Sequence, residues 1–202
     1  MKKKGITYIL SSPSGGGKTS LLKRITILLP DIKHSISYTT RSPRRGEKNG
    51  RDYHFVAPEY FQDIIKNEGF AEWAKIHGHF YGTPLDSLEE TKNQGVDLIL
   101  DIDVQGARQL KERFIKGGVF IFLLPPSLDV LRERLINRGT DSDQEIRNRV
   151  NNAKEEIQQL SWYDYLIIND NLDEAVDNLK SIIVAERCKR EQVLSQIKEL
   201  FL

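Results

Sequence analysis

The sequence predicts an α/β fold in which a parallel sheet is covered by helices on both faces. Four short runs, at 6–10, 96–102, 119–124 and 165–168, are apolar on both faces, as parallel strands buried from both sides must be. Each is followed by a stretch read as a helix, so strand and helix alternate along the chain. A third observation marks one edge of the sheet. The first run leads directly into Ser11-Ser12-Pro13-Ser14-Gly15-Gly16-Gly17-Lys18-Thr19-Ser20, a glycine-rich turn between a strand and a helix.

The elements follow in order. After strand 6–10, the three glycines let the backbone approach an anion closely, with N–H groups and a helix N-terminus free to wrap a polyphosphate. Lys18 is placed to reach the terminal phosphates, and the Thr19 hydroxyl to meet a magnesium ion. The pattern G-x-x-x-x-G-K-[ST] asks for glycine where this chain has Ser12. A helix follows over 18–29, ended by Pro30. From 35 to 83 the regular alternation lapses. Short β-like pieces at 35–39, 53–56, 72–76 and 79–81 alternate with turns rich in Arg, Gly and Pro. One helix, 59–67, stands among them, with Phe61, Ile64 and Ile65 at helical spacing.

Regular order then resumes. A helix over 84–94 is closed by Gly95. Strand 96–102 carries Asp101 near its end, with Asp103 just beyond, and a helix over 105–116 follows. Strand 119–124 stops at Pro125-Pro126, before a helix over 128–137. A polar, charged stretch over 138–149 leads into a long helix reaching about 160. Strand 165–168 precedes a final helix from 172 to about 200, with charges of both signs on one face. Ligands of such sheets gather at the carboxyl ends of the strands. The glycine-rich loop, Asp101, Asp103 and Asn169-Asp170 all follow strand ends, so they converge on one edge, with 35–83 and 138–149 as flaps beside it.

Composition narrows the class. The 202 residues suit one domain, and 39% apolar with 29% charged is an ordinary globular mixture. A net charge of +1 provides no basic field for nucleic acid. The single Cys188 excludes an internal disulfide and fits a reducing compartment. The longest clean apolar run, 119–124, is far too short to span a membrane. Met1 and three lysines run straight into a strand with no small-residue cleavage site, which reads as a solvated end and not a signal peptide. A cytoplasmic protein is expected. His77 and His79 have no third ligand at a supporting spacing and are read as loop histidines.

The segment 37–53 is dense in groups that bind anions. Arg41 and Arg44 flank Pro43, and guanidinium forks grip phosphate oxygens in pairs. An exposed, solvated loop has the same composition, and the segment taken alone does not choose.

The rest of the chain does. In order it carries Ser-Pro-Ser-Gly-Gly-Gly-Lys-Thr, Ser-Tyr-Thr-Thr-Arg-Ser-Pro-Arg-Arg-Gly-Glu, Asp-Tyr-His-Phe-Val, Phe-Ala-Glu-Trp-Ala, His-Phe-Tyr-Gly-Thr, Leu-Asp-Ile-Asp-Val-Gln-Gly, Arg-Gly-Thr-Asp-Ser and Ile-Ile-Asn-Asp. From about Gly5 to about Arg187 the chain resembles the guanylate kinases, in their bacterial single-domain form. The resemblance implies a P-loop nucleoside monophosphate kinase fold. Its core would be 1–34, 84–137 and 150–202, with an inserted mixed α/β GMP-binding domain at 35–83 and a lid at 138–149. In that family the first loop position is not always glycine, so Ser12 fits.

The resemblance also implies a site. Ser12, Pro13, Ser14, Gly15, Gly16, Gly17, Lys18 and Thr19 would bind ATP, with Arg134, Arg138, Asn169 and Asp170. Thr19 would hold magnesium together with the ATP phosphates. Arg41, Arg44, Tyr53 and Tyr81 would hold the GMP phosphate, the two tyrosines having a core-aromatic reading as well. Ser37, Glu72, Thr83 and Asp103 would face guanine, with Asp101 close by. Lys18, Arg44, Arg138 and Arg149 would be catalytic. Guanine offers N1–H and an amino group side by side, and one carboxylate can accept from both. Adenine offers an acceptor there and would leave a buried Glu72 unpaired, a mismatch that discriminates by as much as roughly 10⁴-fold.

The implied reaction is ATP + GMP = ADP + GDP, in purine nucleotide metabolism and GMP recycling. The attacking phosphate oxygen is already anionic at neutral pH, since its second pKa is near 6, so no general base is required. The expected partners are ATP, GMP and dGMP, with no nucleic acid and no membrane; self-association is left open. Two other readings share these motifs. One is a phosphopeptide-binding scaffold module of the same fold, against which the intact Gly17, Lys18, Thr19 and lid arginines speak. The other is a kinase of the same fold acting on another phosphorylated acceptor.

Overall fold

The computed structural model describes residues 5–44, 46–76, 78–113, 117–139 and 141–194. Its core is a five-stranded, all-parallel sheet. The strands are β1 (Thr7–Ser11), β2 (Ile32–His34), β7 (Asp97–Asp101), β8 (Val119–Leu124) and β9 (Tyr165–Ile168), in the spatial order β2-β7-β1-β8-β9. Alternate residues of each strand serve opposite layers, as the two-residue period of a strand requires. Tyr8, Leu10, Ile99, Ile121, Leu123 and Ile167 pack on α1 (Lys18–Leu28) and α7 (Leu172–Arg187). Ile9, Leu98, Leu100, Phe120 and Phe122 pack on α4 (Val104–Arg113) and on Leu88 of α3 (Leu85–Gln94). A third cluster joins α5 (Leu128–Arg138) to α6 (Asp143–Ile157) through Leu131, Leu135, Ile146 and Ala153.

The segment between β2 and α3 forms a separate four-stranded sheet, ordered β4-β3-β6-β5. It contains β3 (Tyr38–Thr39), β4 (His54–Phe55), β5 (Phe70–Ile76) and β6 (His79–Pro84), backed by α2 (Pro58–Lys66). The pairings β3–β6 and β5–β6 are antiparallel and β3–β4 is parallel. Phe61 of α2 stacks on Phe70 and Phe80, which gives this small sheet its own aromatic centre.

The structure departs from the sequence reading in four places. The core sheet has a fifth strand, β2, at its edge; only Ile32 of its three residues is buried, so it carries no two-faced apolar run. Strand β6 continues to Pro84, because its pairing with β5 runs through Pro84 opposite Phe70. Helix α6 begins at Asp143, inside the stretch read as irregular, and Ser142 and Glu145 form a capping box at its start. Helix α7 breaks after Arg187, where the chain tightens to three-residue hydrogen bonds (Cys188 N–H to Ala185 O, 3.0 Å; Lys189 N–H to Glu186 O, 3.2 Å), and helix resumes over 190–194. His77, the solvated end at 1–4, and the far ends of the helices read at 105–116 and 172–200 lie outside the described residues.

Candidate active site

The glycine-rich loop leaves the carboxyl end of β1 and closes with Gly16 N–H donating to Pro13 O at 2.9 Å. Gly17, at φ 97°, caps the N-terminus of α1 in the left-handed region. Space is as restrictive as conformation there, since a Cβ on Gly17 would stand 2.1 Å from Asn169 Nδ2. Asn169 is buried and donates to Gly16 O at 2.8 Å, so the residue following β9 buttresses the loop from behind. Ser12 is buried beneath the loop, its Oγ donating to Pro13 O at 3.2 Å. Lys18 Nζ lies 2.7 Å from Asp101 Oδ1 and donates to Ile102 O at 2.9 Å, which fixes the ammonium over the ends of β1 and β7. Thr19 follows, exposed on the cleft.

Helices α5 and α6 bring three arginines to the same loop. Arg149 Nη1 donates to Ser14 Oγ at 2.6 Å, and its Nε lies 3.2 Å from Asp141 Oδ2. Arg134 Nη2 donates to Asn169 O at 2.9 Å, while its buried Nη1 has no partner among the described residues. Arg138, in the last turn of α5, lines the same cleft as Arg44 of the small sheet's loops. Burial, then Arg138 and Arg41, hold the Arg44 guanidinium below its ordinary pKa, the signature of cations gathered around one point.

Across the cleft, Arg41 forks onto Glu47, with Nη1–Oε2 at 2.9 Å and Nη2–Oε1 at 3.1 Å. Its Nε donates to Tyr81 Oη at 3.2 Å, and its guanidinium carbon sits 5.4 Å from the centre of the Tyr53 ring. Tyr53 and Tyr81 meet edge to face at 6.0 Å. Deeper in the cleft, Glu72 is buried and accepts from Thr83 Oγ1 at 2.5 Å. It packs so close to α4 that a Cβ on Gly106 would stand 2.2 Å from its Oε2. Burial raises its carboxyl to about 7, against the pull of the Thr83 hydrogen bond and with a push from Asp103. Asp103, itself raised by burial, accepts from Gly106 N–H at 2.9 Å.

These groups line one cleft of about 650 Å³. Its wall includes the loop from Ser12 to Thr19, Ser37, Arg41, Arg44, Tyr53, Glu72, Tyr81, Asp101, Asp103, Arg134, Arg138 and Arg149. Three expected residues are not on that wall. Thr83 is fully buried behind Glu72, Asn169 lies under the loop, and Asp170 is exposed beyond it. Asp101 turns to Lys18. The cleft also holds Glu156, which the sequence reading did not single out; burial raises it to about 7, and its Oε2 has no hydrogen-bond partner among the described residues. Its spacing from Arg149, seven residues along α6, places both on one helix face, a signal available in the sequence. The cleft is therefore divided, with cations around the loop and carboxylates (Glu72, Asp103, Glu156) in its depth.

Comparison with known proteins gives a consistent picture. The family model described as Guanylate kinase matches residues 4–186. A curated relative named guanylate kinase, from Geobacter sulfurreducens, is 54% identical over 201 residues, covering 100% of this chain and 98% of the relative. Another of that name, from Halalkalibacterium halodurans, is 45% identical over 98% of this chain and 97% of its own. The crystal structure of guanylate kinase from Anaplasma phagocytophilum superposes with a TM-score of 0.78 at 34% identity, covering 98% of this chain and 97% of that one.

Proposed function

The chain belongs to the guanylate kinase family, and from that premise we propose how its residues divide the work of making ADP and GDP from ATP and GMP. The enzyme is a nucleoside monophosphate kinase. The observation that carries the assignment of roles is the division of one cleft into a cationic loop side and a buried carboxylate pocket.

ATP lies along the glycine-rich loop, its terminal phosphates on Lys18 and the α1 N-terminus. Asp101 and Ile102 O keep the ammonium aimed over the strand ends, where those phosphates pass. Guanine enters the carboxylate pocket and donates N1–H and its amino group to Glu72, with Ser37 and Asp103 at its edge and Thr83 steering the carboxylate. The GMP phosphate lies between Arg44, Tyr53 and Tyr81, facing the loop. Transfer needs no general base, so the protein supplies alignment and charge: Lys18, Arg44, Arg138 and Arg149 surround the phosphoryl group in flight. The 35–83 and 138–149 segments act as acceptor domain and lid, closing to exclude water.

Magnesium fits the residues present. It is ordinarily held by one or two protein oxygens plus phosphates and waters, and the Thr19 hydroxyl opens on the cleft beside Lys18. When bound, the ion neutralises charge on the transferring phosphates. dGMP, which carries the same base and phosphate, is proposed as a second acceptor. The single cysteine supports cytoplasmic residence, and no helix of the described residues is long and apolar enough to cross a membrane.

A survey of nucleoside monophosphates with ATP and magnesium, read as ADP formation, tests the reading. GMP and dGMP should react, and AMP, CMP and UMP should react far more slowly. Equal rates with AMP would refute the role given to Glu72.

A further inference from the structure

Arg41 is less available to a phosphate than its sequence suggests. A guanidinium has five N–H donors. Nε is committed to Tyr81 Oη, both hydrogens of Nη1 to Ser42 O (2.7 Å) and Glu47 Oε2 (2.9 Å), and one of Nη2 to Glu47 Oε1 (3.1 Å). One N–H remains, so Arg41 cannot present a two-pronged fork while Glu47 stays in place. The same Glu47 Oε2 accepts from the backbone N–H of Arg44 at 2.7 Å. Its pair with Arg41 is well shielded, the two side chains being 11% and 20% exposed. The Arg44 guanidinium, by contrast, makes no hydrogen bond or ion pair among the described residues and lines the cleft together with Arg138. Tyr81 Oη accepts from Arg41, which leaves its own proton to donate elsewhere.

We propose that Glu47 is a positioning residue for the GMP phosphate: it locks Arg41 and the Arg44 backbone so that Arg44 supplies the fork, Tyr81 a directed hydroxyl, and Arg41 mainly charge. This rests on the placement of the GMP phosphate among Arg44, Tyr53 and Tyr81. A carboxylate in this position neutralises part of the cationic field. It also fixes Arg41, through it the Tyr81 hydroxyl, and the backbone that carries Arg44 before the substrate arrives, and preorganisation of that kind strengthens binding by removing the cost of ordering them.

The experiment compares binding of GMP and guanosine by calorimetry to the wild type, Glu47→Gln, Glu47→Asp, Arg41→Ala and the Arg41→Ala/Glu47→Gln double variant. Glu47→Gln should weaken GMP about 10-fold, the scale of a lost charge-assisted pair, and leave guanosine unchanged. Glu47→Asp should recover part of the loss. In the Arg41→Ala background the Glu47 substitution should add little, because the two act as one unit. Steady-state kinetics should show the effect in the KM for GMP with the KM for ATP unmoved. The proposal is overturned if Glu47→Gln binds GMP as the wild type does, or more tightly, which would make Glu47 a competitor of the phosphate. Equal weakening of guanosine overturns it too, since that marks a general loosening of the small sheet. Arg44→Ala separates the two claims: if it leaves GMP affinity intact, the phosphate placement itself is wrong.

Discussion

Glu72 is buried beside Asp103, hydrogen-bonded by the hydroxyl and the backbone of Thr83, and its carboxyl is pushed up to about 7. Guanine requires the ionised form, because a protonated carboxyl gives up one of its two acceptors. Affinity for the base should therefore rise with pH through about 7. The GMP phosphate titrates nearby, so guanosine is the cleaner probe. Between pH 6 and pH 8 its affinity should rise about 10-fold in the wild type, as expected for one group of that pKa, and stay flat in Glu72→Gln. Persistence of the slope in that variant would transfer it to Glu156, which is raised to a similar value. The effect on stability has the opposite sign. Folded Glu72 holds its proton above the ordinary carboxyl value of 4.5, so its contribution is full below that pH and lost as pH rises through about 7. On the proposed donor side the corresponding residue is Lys18. Lys18→Ala should lower kcat by roughly 10³-fold, the scale of a lost transition-state donor. GMP binding, proposed to rest on Glu72 and Arg44, should survive, and calorimetry beside turnover checks both.

Helix α6 shows how an element delivers chemistry. It carries Arg149 to the loop and Glu156 to the pocket, and its first turn is held by Ser142 and Glu145, with Ser142 N–H donating to Glu145 Oε2 at 2.7 Å. Ser142→Ala should cost about 1 kcal/mol of local helix stability. Amides of the first turn should exchange faster, and kcat should fall more than GMP affinity does. The start of this helix was hidden in the sequence because its first two turns are almost wholly polar, although the Ser-x-x-Glu signature was there to read. Core strands β1, β7, β8 and β9 were legible because burial on both faces writes an unbroken apolar run. Strand β2 was not, since one buried isoleucine in three residues writes nothing. The end of α7 had no glycine or proline to announce it. The same contrast holds in the cleft. Lys18, Arg41 and Glu72 sit in dense local motifs, whereas the hold of Asn169 on Gly16 spans 153 positions and exists only once the sheet has formed. Glu47 is near Arg41 in sequence, yet nothing in its surroundings says which carboxylate takes the fork.

At the scale of the molecule, the two ends of the core sheet have different work. The cleft occupies the carboxyl ends of the strands, while a charged network ties the opposite end. Asp97, the first residue of β7, is buried, with Oδ1 accepting from Ile6 N–H at 2.9 Å and Oδ2 from Arg187 Nε at 2.7 Å. Arg187, the last residue of α7, also reaches Asp31 at 2.9 Å, just before β2. The starts of three strands and the end of α7 are thus fastened at one point beneath the sheet. The Asp97 side chain is inaccessible to water, so its partners cannot be satisfied by solvent if its charge is lost. Asp97→Asn keeps the shape and removes the charge, leaving the more exposed Asp31 as the carboxylate paired with Arg187 among the described residues. A loss of about 3 kcal/mol is expected for breaking a buried pair from one side, read as a lower urea midpoint with an unchanged m-value. Because this network lies at the end of the strands away from the cleft, the KM values for GMP and ATP should match the wild type at temperatures where the variant is folded. A shift in either KM without further loss of stability would mean that the lower end of the sheet sets the geometry of the loop above it, and that scaffold and site are not separable in this fold.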